Sequence, residues 1–360
     1  MYDFTKMLYP CPIKVSSKLE ASNVDGYSLL EHLPQSPKGF FYLHAMWPGL
    51  CNDNYELPGG YDYYIVSSHM EHIDFDWLKN QNVGPIYYLT DLNFYQDYNL
   101  DNVKFFQWMN YHHALDKMIS WFGTDYKKNI THKASVFCNR ITQSKMIVTT
   151  ALLQNIKTED LLVSLSDWLE EKNVHNWQPT GNPVLDELTN KFLDCYYGKK
   201  LKMDEWTNES NLQFYTADPK QIAYQNSALH FTNESFHYSL MGQDILPGPH
   251  LTEKTFKCLL GGTAFISVGQ FDVYRTLESF GMQFDYGIDL SFDQDPGNLT
   301  RLEKIVTLID DIKNIDCKDL YNASMNSSQH NQDCILSGKF KNKCHAINEN
   351  TLNQLIKLIQ

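Results

Sequence analysis

The feature that most constrains this chain is a recurrence of short apolar, aromatic runs of strand length. GFFYLHAMW (39–47), YDYYIVSS (61–68), GPIYYLT (84–90) and VKFFQWM (103–109) fall in the first third, with a helix expected around 72–82. A helical pattern follows, with Ala114, Met118, Trp121 and Phe122 on one face. KASVFCN (133–139), SALHFT (227–232) and TAFISVG (263–269) continue the series further on. Aromatic and β-branched residues fit a pleated, half-buried surface. Strands alternating with helices at such spacings build parallel sheets with crossover helices, an α/β fold. A single core stops growing at roughly 250–300 residues, so 360 residues imply two domains. We expect a first lobe over 1–131, a second over 132–320, and a connection with a C-terminal helix over 321–360.

In the second lobe QSKMIVTTALLQN (143–155) reads as a helix, whereas 156–212 carries only weak signals. LTEKTFKCLLGG (251–262) is a clear helix. Thr252 is placed to cap it, Phe256, Leu259 and Leu260 share one face, and Gly261 and Gly262 stop it. Helices are also expected over 271–280, ending at Gly281, and over 299–315. YNASMNSSQHNQDC (321–334) reads as a Ser/Asn-rich connection, and the final TLNQLIKLIQ as a docked helix.

Charge and cysteine usage narrow the function classes. A net charge of −13 lacks the basic excess of a broad nucleic-acid surface. The basic clusters at Lys199, Lys200 and Lys202 and at Lys339, Lys341 and Lys343 read as solvated loops. Eight cysteines without a CxxC pair show no zinc spacing and point to free thiols in a reducing compartment, the cytoplasm. MYDFTKMLYPCP lacks the pattern of a signal peptide, and no apolar run approaches 18 residues, so no membrane association is expected.

The stretch richest in chemistry is SALHFTNES (227–235), a loop with Gly242, Pro247, Gly248 and Pro249, and then the helix opening at Thr252-Glu253-Lys254. Amide groups at a helix N-terminus favour anions such as phosphates. A lysine in the first turn opposes the helix dipole, and a bound diphosphate relieves that cost. Glu253 beside it is placed to accept hydrogen bonds from ribose hydroxyls. The following strand ends at Gly269, where ligands of open α/β sheets bind.

FTNES and LTEKTFKCLLGGTAFISVG resemble the donor-binding signature of inverting α-fucosyltransferases. They resemble still more closely a group of phage and giant-virus glycosyltransferase-like proteins, as does RTLESFGMQFDYGIDLSFD (275–293). FCNRITQSKMIVTTALL (137–153) is similar to the element that opens the donor lobe of that group and aims an arginine at the diphosphate. The resemblance spans roughly 133–315 and implies a glycosyltransferase-B fold, two Rossmann-like lobes facing a cleft. It implies a nucleotide-sugar as co-substrate, no cofactor and no required metal. Arg140, Lys145, Asn233, Glu234, Thr252, Glu253 and Lys254 are the donor-binding candidates. The Asn233-Glu234 order is the reverse of the fucosyltransferase turn, which leaves the sugar open.

Inversion requires a carboxylate base for the acceptor hydroxyl. Glu71 and Asp91 directly follow strands and rank first, ahead of Asp53. Trp47 and Trp108 stand near strand ends, where core packing competes with stacking on an acceptor. Asp293-Gln294-Asp295 is formally a DxD pattern, but it precedes Pro-Gly late in the donor lobe, so it is not assigned to a metal. His112 and His113 are adjacent and face different ways on a helix. The acceptor is either a glycan or small molecule, or a modified base in DNA. A binding protein without catalysis is the third alternative.

Overall fold

The computed structural model describes residues 33, 38, 40–45, 56–68, 75–90, 100–109, 115, 116, 118–120, 123, 124, 127–138, 141–165, 178–197, 222–233, 249 and 251–360. It is an α/β structure with two four-stranded, fully parallel sheets. The chain divides into two units, Met1–Ala114 with Lys341–Gln360 and Leu115–Phe340.

The first unit holds β1 (Phe40–Ala45), β2 (Tyr63–Ser68), helix α1 (Phe75–Lys79), β3 (Ile86–Thr90) and β4 (Val103–Gln107). Its strands lie in chain order, β1-β2-β3-β4. Strand residues alternate between two apolar layers. Phe41, Tyr64, Val66, Ile86 and Tyr88 meet Trp77 and Leu78 of α1. Phe40, Tyr42, Tyr63, Ile65, Tyr87, Leu89 and Phe106 form the opposite layer with Trp108 and Leu355. Trp108 is therefore a core residue, 6% exposed. Leu355 belongs to α9 (Lys339–Ile359), which is longer than the ten residues expected from its apolar stripe. Asn348 of α9 accepts from the Met109 amide at 2.7 Å and donates to the Met109 carbonyl at 2.9 Å. Thr351 donates to Gln107 at 2.7 Å, so polar side chains of the chain's end complete the backbone of β4.

The second unit contains β5 (His132–Cys138), α2 (Gln143–Asn155), β6 (Leu161–Leu165), α3 (Pro183–Cys195), α4 (Ile222–Asn226) and β7 (Ser227–Asn233). These are followed by α5 (Glu253–Leu260), β8 (Ala264–Val268), α6 (Val273–Ser279), α7 (Asn298–Ile312) and α8 (Cys317–Leu336). Its strand order is β6-β5-β7-β8. The chain leaves β5 for β6 on one side, then returns to β7 and β8 on the other. This reversal creates a topological switch point between the C-terminal ends of β5 and β7. Helices α3 and α7 both pack on α2, α5 packs on α8, and both groups touch the sheet.

Among the described residues, the weakly signalled stretch 156–212 holds a strand and an α-helix that the sequence did not announce. β6 is five residues long and only partly buried, too short for periodicity to register. α3 opens with Pro183 at its first position and Asn182 as cap, whose Oδ1 accepts from Val184 at 2.9 Å and Leu185 at 3.2 Å.

The stretch 321–334, expected as a connection, is instead the body of α8. Its buried positions Leu320, Ser324, Ser327, Ser328, Asn331, Cys334 and Ile335 follow helical spacing, but most are small or polar. Small side chains admit close packing, and Asn331 both accepts from the Gln283 amide and donates to its carbonyl, each at 2.7 Å. Gly287, at φ 68°, lies so close that an added Cβ would come within 2.8 Å of Ala323.

Candidate functional site

In a parallel sheet every strand delivers the chain to the same edge, where the next helix begins. In the second unit this edge collects the C-terminal ends of β5, β7 and β8 and the N-termini of α2, α5 and α6.

Helix α5 begins as expected. Thr252 is extended and accepts from the Lys254 amide at 3.3 Å. The Lys254 ammonium turns back to within 3.2 Å of the same oxygen, so a cation is held at the helix start rather than along its flank. Glu253 is the first residue of α5, and the described structure stops at its backbone. The helix ends in a Schellman motif: Gly262 at φ 60° donates to Leu259 at 3.2 Å, and Thr263 to Cys258 at 2.9 Å. Phe256, Leu259 and Leu260 are at most 1% exposed and fix the helix.

Helix α2 leaves β5 in the same way. Its first turn contains no acidic residue and carries Lys145, only 4% exposed. The Lys145 ammonium lies near the Cys138 thiol; burial pushes that thiol up to about 11, and the lysine opposes the rise. Asn233 ends β7. Its amide nitrogen donates to the Phe137 carbonyl of β5 at 3.1 Å. Its Oδ1 is buried and has no hydrogen-bond partner among the described residues. A buried acceptor left unsatisfied costs about 1–3 kcal/mol, so this oxygen calls for a donor group.

The structure thus joins Thr252 with Lys254, Lys145 with Cys138, and Asn233 with β5, all at one sheet edge. Arg140, Glu234, Glu71 and Asp91, together with Asp53, Trp47, His112 and His113, lie outside the described residues.

The DxD pattern has structural work. Asp293 accepts from the first two amides of α6, Val273 at 3.0 Å and Tyr274 at 2.9 Å. Burial pushes its carboxyl up to about 7, against the pull of those amides and of Arg301. Asp295 pairs with Lys304 at 2.9 Å and is held below the ordinary carboxylate range by that lysine and the Gly297 amide, against the opposing effect of burial. Among the described residues no group of three or more His, Cys, Asp or Glu side chains is placed to hold a metal ion.

Sequence reading passed over the buried charges that shape this unit. Arg301 is 2% exposed and donates twice to the Gly269 carbonyl, at 3.0 and 2.7 Å. Near the N-terminal end of the sheet, Lys128 donates to Tyr224 at 2.6 Å and Thr263 at 2.5 Å, and burial brings its ammonium down to about 7. His230, bonded to Ser135 at 2.8 Å, is brought down to about 3 by burial, with Lys257 and Lys128 adding to the shift. Lys128, half-buried, sits in the polar stretch TDYKKNITHK, where composition gives no sign of the contacts it makes.

Set against models of known families, curated proteins and solved structures, the chain matches none of them.

Proposed function

We propose that this protein is a nucleotide-sugar-dependent glycosyltransferase whose donor site is the switch-point edge of the second unit. One observation carries the reading. The two helices that follow β5 and β7, the strands flanking the switch point, each place a lysine in the first turn, Lys145 and Lys254. A lysine in the first turn adds positive charge at the end of the helix whose amides already favour an anion. Two such lysines at one edge suit the diphosphate of a nucleotide-sugar. The unsatisfied Oδ1 of Asn233 suits a hydroxyl or N–H of the same ligand.

The glycosyltransferase-B class, with two Rossmann-like lobes facing a cleft, is the fold type we assign, supported by two parallel sheets in two units. In the transfer, the acceptor oxygen attacks the anomeric carbon as the bond to the diphosphate breaks. A carboxylate takes the acceptor proton, and Glu71 and Asp91 are the candidates. Lys254, Lys145, Arg140 and the start of α5 neutralise the departing charge, the role a metal plays in other transferases. Glu253 and Glu234 serve the donor's hydroxyls. The net charge of −13 favours a glycan or small-molecule acceptor over DNA. Described cysteines are all free, and no described helix is long and apolar enough to cross a membrane; we assign the protein to the cytoplasm.

Thermal-shift screening against nucleoside diphosphates and their sugar conjugates tests the reading first. A ligand at 100 times its Kd adds about 2.7 kcal/mol to the native state. Steady-state transfer then separates two roles. Glu253→Ala is expected to raise KM. Lys254→Ala is expected to lower kcat as well, by about a hundred- to a thousand-fold, because charge on the diphosphate grows in the transition state. Wild-type kinetics in both variants would remove the start of α5 from the site.

A further inference from the structure

The stretch before β5 and the turn before β8 meet where the strands of the second sheet begin, the end opposite the switch point. Tyr224, Thr263 and Lys128 form a triangle there. The Thr263 hydroxyl donates to the Tyr224 carbonyl at 2.8 Å, and the Lys128 ammonium donates to Thr263 Oγ1 at 2.5 Å and to the same carbonyl at 2.6 Å. Tyr224 and Thr263 are thus joined without the lysine. An ammonium carries three hydrogens, and the third has no acceptor among the described residues. No described carboxylate pairs with Lys128 either. Burial of this cation brings it down to about 7.

Lys128 lines a cavity of about 40 Å³. A water needs about 10–15 Å³, so about three water-sized groups fit. Gly261 and Gly262, between α5 and β8, line it on one side. Gly262 is at φ 60°, and a Cβ there would come within 3.3 Å of the Gln332 side chain, so a turn without side chains leaves this space. Helix α8 lines the other side. Tyr321, Met325, Gln329 and Gln332 recur at helical spacing and share a face, distinct from the buried stripe of that helix.

The hydrogen bonds of these residues leave mainly donors. Both amide hydrogens of Gln329 are taken, by Gln332 Oε1 at 3.2 Å and by Asp333 at 3.1 Å. The Gln332 amide uses one of its two, on the Leu260 carbonyl at 2.6 Å. The Tyr321 hydroxyl has no partner among the described residues. One N–H of Lys128, one N–H of Gln332 and the Tyr321 O–H therefore belong to one small cavity, with a positive charge among them. An oxyanion is the complement of that set, because its oxygens accept several hydrogen bonds and its charge answers the lysine.

We propose that this cavity is a binding site for a small oxyanion of about three or four heavy atoms, a short carboxylate or bicarbonate, with Lys128 supplying the charge and Tyr321 and Gln332 the neutral donors. The site is separate from the donor edge and does not depend on the reading of that edge.

Thermal denaturation of the full chain near pH 7, titrated with sodium acetate and with sodium bicarbonate against sodium chloride at equal ionic strength, tests the assignment. Wild type is expected to show a saturable rise in Tm with at least one of the two probes and not with chloride, about 3 °C at ten times the half-saturating concentration. A rise with one probe alone supports the site and tells carboxylate from bicarbonate. Tyr321→Phe removes a hydroxyl that no described residue uses, so its Tm without ligand is expected within about 2 °C of wild type and its half-saturating concentration about ten-fold higher. Lys128→Met keeps the bond between Tyr224 and Thr263 and is expected to abolish the response. Should Lys128→Met fail to fold, Tyr321→Phe decides alone. No rise with either probe, an equal rise with chloride, or an unchanged half-saturating concentration in either variant would overturn the site.

Discussion

Among the described residues the two sheets have the same number of strands and the same parallel sense, yet they bury different chemistry. Among the described residues, the first unit buries Phe, Tyr, Trp and aliphatic side chains with a few neutral polar ones, and no charge. The second buries Lys133, Lys145, Lys257, Asp293 and Arg301. Strand order accompanies the contrast. Among the described strands the first sheet advances in one direction, whereas the second reverses beside its first strand. Buried charges cost several kcal/mol each unless hydrogen-bonded, so a unit that keeps them must supply partners for each.

The largest effect that sharpens this contrast is expected at Arg301. Arg301→Met strands the Gly269 and Asp295 carbonyls and leaves Asp293 without its cation, which should cost about 4 kcal/mol in urea denaturation. A loss under about 1 kcal/mol would show that the buried charges of the second unit carry no more structure than the aromatic core of the first.

The next effect is the response to pH. Asp293 rises from an ordinary 3.8 to about 7 in the folded state, so the folded form favours its proton. Stability is then greatest below 3.8 and falls as pH rises through 7, by on the order of 4 kcal/mol. Lys128 has the opposite sign: its folded value falls from 10.5 to about 7, so stability is regained between 7 and 10.5. Hydrogen exchange should therefore show weakest protection of the second unit near neutrality. Asp293→Asn should flatten the acid limb and Lys128→Met the alkaline one. In the first unit burial raises Tyr63 and Tyr87, so its protection should stay level until pH passes their ordinary value of 10. Equal pH profiles in both units would break the comparison.

Smaller effects are expected from the neutral polar groups of the first unit. Asn348→Ala removes both bonds to Met109 and should cost about 2 kcal/mol. Tyr42→Phe removes the 2.8 Å bond to Ser67 and should cost about 1 kcal/mol. A loss from either change as large as that at Arg301 would place the more demanding polar groups in the first unit.

Residue type explains what could be read in advance. Apolar runs such as IYYLT, HKASVFC and AFISV announce strands because their side chains are buried almost without interruption. The start and stop of α5 were legible because capping and chain reversal are local: Thr252 precedes the turn and Gly262 adopts the positive φ. α8 was not legible, since its buried stripe of Ser324, Ser327, Ser328 and Asn331 has helical spacing without hydrophobicity. Of the site, the Thr252-Lys254 start was visible in the chain. The capping of α6 was not, because Asp293 lies about twenty residues away and nothing in its neighbourhood indicates which amides it meets.

Sequence by itself determined the class of fold, most of the strands and the first turn of α5. Those properties follow from side-chain apolarity and backbone preference acting over a few residues. Tertiary structure alone decided the strand order, and with it the switch point, because parallel strands are paired through long crossovers that local preference does not encode. It also decided which charges are buried. Lys145, Arg301 and Asp293 look like ordinary surface residues in the chain, and their partners come from separate elements brought together only when the sheet is assembled.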